Sequence, residues 1–193
     1  MKLLYEQSIR MKNLVINLLD MARLQSGKVK LNKQWQLLEE VVGTALRAMK
    51  QVLVEYQINV DFPTDLPLIE FDAVLIDRVL CNLLDNAAKY ALAGTKISIS
   101  AEMKQRDVWI SVADEGSGLP KDLENQMFDK FTRGDKESSK AGVGLGLSIC
   151  KAIIEAHHGK IWANNKSPQG AIFTFSLPLG VPPSLPPIDE LLP

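Results

Sequence analysis

Two asparagines one helical turn apart, inside an otherwise well-formed amphipathic helix, restrict this chain more than any other feature. In DRVLCNLLDNAAKYA, residues 77–91, the apolar Val79, Leu80, Leu83, Leu84, Ala87 and Ala88 recur at helical spacing. Arg78, Asn82, Asn86 and Lys89 follow one another at steps of four, four and three along the opposite side. Asparagine is a mediocre helix former because its amide competes for backbone hydrogen bonds, so a solvated face would ordinarily carry Glu, Lys or Gln. A neutral amide oxygen suits a hard cation such as magnesium, which keeps several waters and takes few protein ligands beside substrate phosphates. The alternative is a surface helix that merely holds two asparagines, and the remaining motifs must decide.

The 193 residues, 46% apolar and 23% charged, suffice for one substantial core with a small appendage. A formal net charge of -1 gives no electrostatic footprint for nucleic acid, and none is expected as a partner. Cys81 and Cys150 lie within apolar helical patterns and read as small buried hydrophobes in a reducing compartment. No apolar run approaches a membrane span, and the N-terminus lacks the uninterrupted apolar stretch of a signal peptide.

Residues 1–26 place Leu4, Met11, Leu14, Leu18 and Met21 at steps of a helical bundle stripe, widened by Val15 and Ala22 and ended by Gly27. No mate of similar length follows, so a partner helix upstream or self-association through residues 4–22 is expected; docking onto its own domain is the alternative. Alternation over Val29–Trp35 predicts a strand, LLEEVVGTALRAMKQVLVEY (37–56) one helix of about five turns, and INVDFP and LIEFD short strands. Asp72 is placed to cap the asparagine helix and Gly94 to stop it. KISISAEM and DVWISVAD flank KQR as an antiparallel hairpin leading into DEGSGLP. Residues 121–127 could form a short helix, 132–141 read as a mobile polar loop, and SICKAIIEAHH forms a helix ended by Gly159. KIWANN and AIFTFSLPL complete the sheet, and the proline-rich tail from Val181 reads as an extended exit.

Three constellations carry chemistry. Asp114 stands where a strand meets a turn, with Gly116 and Gly118 at alternate positions, so a flat ligand can approach the backbone while the carboxylate accepts at its edge. Adenine offers the required amine donor, whereas guanine presents a carbonyl; a plain turn is the bland alternative. Gly142, Gly144 and Gly146 open a helix whose free amides and dipole attract polyphosphate, although neither a P-loop nor a dinucleotide fingerprint is present. In MFDKFTRG, Phe128 and Phe131 can anchor the hinge of the mobile loop, and Lys130, Arg133, Lys136 and Lys140 can reach phosphate, Arg133 being the one singled out.

In this order, NLLDNAAKY, DEGSGLP, FDKF and GVGLGL resemble the N, G1, F and G2 boxes of sensor histidine kinases. VINLLDMARLQSGK is similar to the second dimerisation helix of that family, and FDKFTRGDKES, GVGLGLSICKAI and WQLLEEVVGTAL to its Kdp-type potassium-sensor branch. The resemblance implies a Bergerat-type α/β two-layer sandwich, with a mixed, mostly antiparallel sheet, three helices on one face and ATP beneath a flexible lid. It divides the chain into residues 1–28, part of the dimerisation domain; 29–180, the ATP-binding domain; and 181–193, a tail. It assigns magnesium to Asn86 with Asn82 assisting, phosphate to Lys89, and places Tyr90 beside the nucleotide. Asp114, Gly116 and Gly118 would receive adenine; Gly142, Gly144 and Gly146, with Phe131, Arg133 and Leu147, would shape the lid and phosphate site.

The phosphorylated histidine of such kinases lies on a first dimerisation helix that this sequence lacks, so ATP would be used on a partner segment. His157 and His158 read as an ordinary helix end with favourable dipole placement. The resemblance further implies a response regulator as partner and a full-length protein of the bacterial inner membrane. Related hydrolases place a glutamate base where Asn82 stands, which favours transfer over hydrolysis. A nucleotide-sensing module without transfer is the remaining alternative.

Overall fold

A computed structural model describes residues 31–120, 127–128 and 146–181. The bundle helix expected over 1–26, the loop over 132–141, most of the short helix expected over 121–127 and the tail beyond Val181 lie outside the described residues.

The elements run β1 (Gln34–Gln36), α1 (Leu38–Ala48), α2 (Lys50–Leu53), β2 (Gln57–Asp61), β3 (Ile69–Phe71) and α3 (Ala73–Tyr90). Then come β4 (Lys96–Lys104), β5 (Asp107–Ala113), α4 (Gly146–Ala156), β6 (Ile161–Asn165) and β7 (Ala171–Pro178). Five strands form one sheet in the order β2-β4-β5-β7-β6, parallel only at β2–β4, while β1 and β3 make a separate antiparallel pair. Along β4 and β5 the alternation sorts the residues by face: Ile97, Ile99, Val108, Ile110 and Val112 are buried with the helices in one core. The helix α3 is central, packed on α1, α4 and β5. Ile76, Val79, Leu80, Leu83, Leu84 and Ala87 are its buried stripe, each large aliphatic contributing about 1.5–3 kcal/mol. The result is the expected two-layer α/β sandwich with a mixed, mostly antiparallel sheet.

Four local expectations change. The helix expected over 37–56 breaks at Met49 (φ −92°, ψ 6°), whose carbonyl receives the Val52 and Leu53 amides; the bend brings Leu53 into the core. The alternation over 29–35 yields, among the described residues, only the short β1. The hairpin loop is Gln105–Arg106, because Lys104 still pairs with Asp107, and Gln105 takes φ 55° to match the strand twist.

The end of α4 differs most. The Gly159 amide bonds the Ile154 carbonyl and the His158 amide bonds Glu155, a Schellman closure whose left-handed residue is His158 (φ 64°) and not Gly159. Gly159 is required for another reason: a Cβ there would lie 1.9 Å from the Ser176 carbonyl oxygen of β7. His157 is no cation at a helix end either. It is buried, with Nδ1 bonded to the Ile153 carbonyl and Nε2 accepting from the Asp72 amide, and burial holds its pKa below the usual value.

Candidate functional site

The site is built along the outward side of α3. Asp72 caps the helix, Oδ1 accepting from the Leu75 amide at 3.2 Å. Nearly three turns on, the Asn82 side-chain oxygen lies 3.4 Å from where a Cβ of Gly146 would stand, so Asn82 abuts the first residue of α4 and any side chain at 146 would crowd it. The Asn82 amide nitrogen is buried, with no oxygen or nitrogen partner among the described residues. It lies beside the Cys150 thiol, which burial pushes up to about 12 against the opposing pull of Asn82 and Arg78. Asn86, one turn further, is half-buried and makes no side-chain hydrogen bond among the described residues. Lys89 is ion-paired with Asp85, so reaching a phosphate requires it to exchange one anion for another.

The far end of α3 meets the glycine turn. The Tyr56 hydroxyl donates to the Ala88 carbonyl (2.5 Å), fixing the last helical turn. A Cβ on Gly116 would stand 2.3 Å from the Tyr90 carbonyl oxygen, so glycine here is demanded by the approach of helix and turn.

Asp114 follows β5 and is 2% exposed. Its Oδ1 accepts from the Gly116 amide at 2.8 Å and from Ala171 at 3.3 Å, while its own amide donates to the Ala171 carbonyl at 2.9 Å. Burial raises its pKa, opposed by those two amides and by the Lys166 charge. Both side-chain bonds among the described residues fall on one oxygen, and the second remains an acceptor for a ligand donor. Gly118 takes φ 76° and leads to Leu119, whose amide donates to Asn165 Oδ1 (2.6 Å) and whose carbonyl accepts from Asn165 Nδ2 (3.2 Å).

The fold therefore brings Asn82, Asn86, Lys89, Tyr90, Asp114, Gly116, Gly118 and Gly146 onto one helix, the glycine turn at its far end and the first residue of α4. Leu147 is half-buried and packs on the core. Phe131, Arg133, Gly142 and Gly144 lie outside the described residues. From Asn82 to Tyr90 α3 rises about 12 Å, the order of length that separates a purine from the far phosphates of an extended nucleotide. Among the described residues no group of three or more His, Cys, Asp and Glu side chains could hold a metal ion. The Asn82 side-chain oxygen facing Gly146 and an Asn86 amide without a side-chain hydrogen bond among the described residues are neutral oxygen donors that fit a cation held mainly by phosphate oxygens. Tyr56, Asn165 and Gly170 went unseen in the sequence; the Asn164–Asn165 pair before a Ser-Pro-Gln-Gly turn was the available signal.

Comparison with known proteins agrees with this fold. Residues 71–181 match the family described as histidine kinase-, DNA gyrase B-, and HSP90-like ATPase. Sensor protein KdpD of Escherichia coli (strain K12) is 49% identical over 172 residues, 89% of this chain but 19% of that protein. This chain thus spans about a fifth of the length of that curated relative. Full-length ShkA in complex with AMPPNP superposes with a TM-score of 0.81 at 26% identity, covering 93% of this chain and 38% of that one. Histidine kinase ThkA, in complex with the response regulator protein TrrA, gives a TM-score of 0.72 at 26% identity over 90% of this chain and 49% of its own. Among the described residues no helix is long and apolar enough to cross a membrane.

Proposed function

The chain belongs to the histidine kinase-, DNA gyrase B- and HSP90-like ATPase family, and on that premise we propose that it is the catalytic part of a two-component sensor histidine kinase. It binds ATP with magnesium and transfers the γ-phosphoryl group to a histidine on a first dimerisation helix outside this sequence. Residues 1–28 then belong to the dimerisation domain and self-associate through 4–22, 29–180 bind nucleotide, and 181–193 form the exit tail. The likeness to KdpD supports potassium sensing and an inner-membrane full-length protein, and the ThkA complex supports a response regulator as downstream partner.

The observation that carries this reading is the reach of α3, which sets Asn82 against the start of α4 and Tyr90 against the Asp114–Gly116 turn. Asp114 would accept from the adenine amine while Gly116 and Gly118 let the base approach. Asn86, with Asn82 assisting, would hold magnesium, which supplies charge neutralisation at the phosphates. Lys89, released from Asp85, and Arg133 would add positive charge; Gly142, Gly144 and Gly146 would offer backbone amides to the phosphates, with Phe131 and Leu147 beside the nucleotide. Phosphoryl transfer through a loose transition state needs positioning and charge neutralisation more than covalent help from the protein.

The test mixes this chain with labelled ATP, magnesium and a separate polypeptide bearing the first dimerisation helix and its histidine. Acid-labile label on that polypeptide is the expected result. Tight ATP binding without label supports a sensing or assembly module instead, and steady, rapid phosphate release supports a hydrolase.

A further inference from the structure

We propose that Asn165, at the end of edge strand β6, is a positioning residue for base recognition, acting through the glycine turn without touching the nucleotide. This rests on the adenine assignment of Asp114. The Asn165 amide takes both backbone groups of Leu119, Oδ1 receiving the amide at 2.6 Å and Nδ2 donating to the carbonyl at 3.2 Å, across 46 residues of sequence. It thereby behaves as one further rung of β-ladder laid onto a turn that has no strand neighbour of its own. The same oxygen stands 2.5 Å from where a Cβ of Gly118 would be, so the left-handed glycine and the asparagine fit one another.

The other end of the turn is held by the other arm of the same hairpin. Ala171, the register partner of Asn165, accepts from the Asp114 amide at its carbonyl and donates its own amide to the Asp114 carboxylate; Gly170 lies so close that a Cβ there would be 2.0 Å from the Asp114 carbonyl oxygen. Between them Gln169 Nε2 donates to the Glu115 carbonyl (3.4 Å), and Lys166 Nζ stands 3.9 Å from the Glu115 carboxylate. The β6–β7 hairpin is thus a bracket around residues 114–119, with Asp114 fixed at one arm and Leu119 at the other. Releasing the Asn165 arm leaves Asp114 buried but frees the Gly116–Gly118 backbone against which a base would lie. The cost falls on recognition of the base and not on the phosphate end, where Asn82 and Gly146 are untouched.

The experiment compares the 193-residue chain with Asn165→Ala and Asn165→Asp, measuring ATP and GTP affinity with magnesium by calorimetry and the unfolding midpoint of each variant. Asp has the size of Asn but sets a carboxylate oxygen against the Leu119 carbonyl, so volume is kept while the paired bonding is lost. Both variants should lose about tenfold in ATP affinity, as expected for two hydrogen bonds of ordinary strength. The ATP-to-GTP affinity ratio should fall with it, a readout that uniform loosening of the fold would not move. An unchanged ratio in Asn165→Asp overturns the inference, whether or not Asn165→Ala folds. Asp114→Asn run alongside separates the two readings: if it loses ATP while the Asn165 variants do not, only the positioning role fails, and if it too binds ATP like the parent, the adenine assignment fails.

Discussion

His157→Gln tests whether the ends of α3 and α4 are joined by a neutral imidazole. In the structure His157 is 1% exposed, Nε2 accepts from the Asp72 amide at 3.1 Å and Nδ1 bonds the Ile153 carbonyl at 2.8 Å, an arrangement that puts the proton on Nδ1. A second proton on Nε2 would set donor against donor at Asp72. Burial lowers the His157 pKa most; the Ile153 carbonyl opposes this, Lys33 and His158 add to it, and the Asp72 carboxylate pulls back. The unfolded chain takes its proton near 6.5 while the native state resists, so stability is full above 6.5 and is lost as pH falls below it. Each pH unit over which the native imidazole stays neutral after the unfolded one has protonated costs about 1.4 kcal/mol. For a domain of this size that is about 3–6 °C in Tm. Asp77 and Asp114 carry the opposite sign: burial raises their pKa values, so folding favours their protonated forms as pH falls. Both remain in parent and variant and cancel in the difference. The assay is thermal unfolding by circular dichroism at pH 7.5 and 5.5. The parent should lose those degrees and His157→Gln, which keeps a donor and an acceptor without a titrating ring, should not; equal losses would refute the reasoning.

Asp114→Asn retains an acceptor for the Gly116 and Ala171 amides but lacks a carboxylate for an adenine amine, so calorimetry should show ATP affinity about tenfold weaker and GTP unaffected. Asn86→Ala should abolish the magnesium dependence of ATP affinity, read as identical isotherms with magnesium and with chelator. Gly159→Ala drives a Cβ into the Ser176 carbonyl and should cost about 3 kcal/mol or more in denaturant unfolding. His158→Gly, by contrast, relieves a left-handed residue and should stabilise by about 0.5–1 kcal/mol in the same titration.

What the sequence made legible was local and periodic. The α3 stripe, the β4–β5 hairpin and the Asp72 cap each follow from residues within one turn or one strand pair, and each stands where expected. The break at Met49 has no glycine or proline to announce it, and only the burial of Leu53 shows what it achieves. Helix-end logic made Gly159 the stop of this helix, but that glycine is claimed by the closeness of β7, and the left-handed residue is His158. His157 was misread for the same cause: its bonding partner at Asp72 lies 85 residues away, beyond the reach of any local pattern. Asn165 was likewise passed over as a polar strand end, because Leu119 comes to it only through the sheet order β5-β7-β6. Tertiary contact decides such residues, and one sequence records its outcome without its partners.

The choice between transfer and hydrolysis is narrowed by the same placement. A hydrolase needs a carboxylate to take a proton from water at the phosphate end of the site, and α3 does carry two, Asp77 and Asp85. Asp77 stands five residues before Asn82, about 140° around the helix at 100° per residue, with one oxygen buried and unpartnered among the described residues. Burial raises its pKa, and its charge helps push the Cys81 thiol up to about 11. Asp85 is nearer the Asn82–Asn86 face but is committed to Lys89. Among the described residues, the side chain that stands against the first residue of α4 is Asn82, whose amide can orient or ligate but cannot serve as a base at neutral pH. On the proposed reading, the asparagine pair that first sets this helix apart would hold a triphosphate for a nucleophile that arrives from elsewhere, the chemistry of transfer to a histidine.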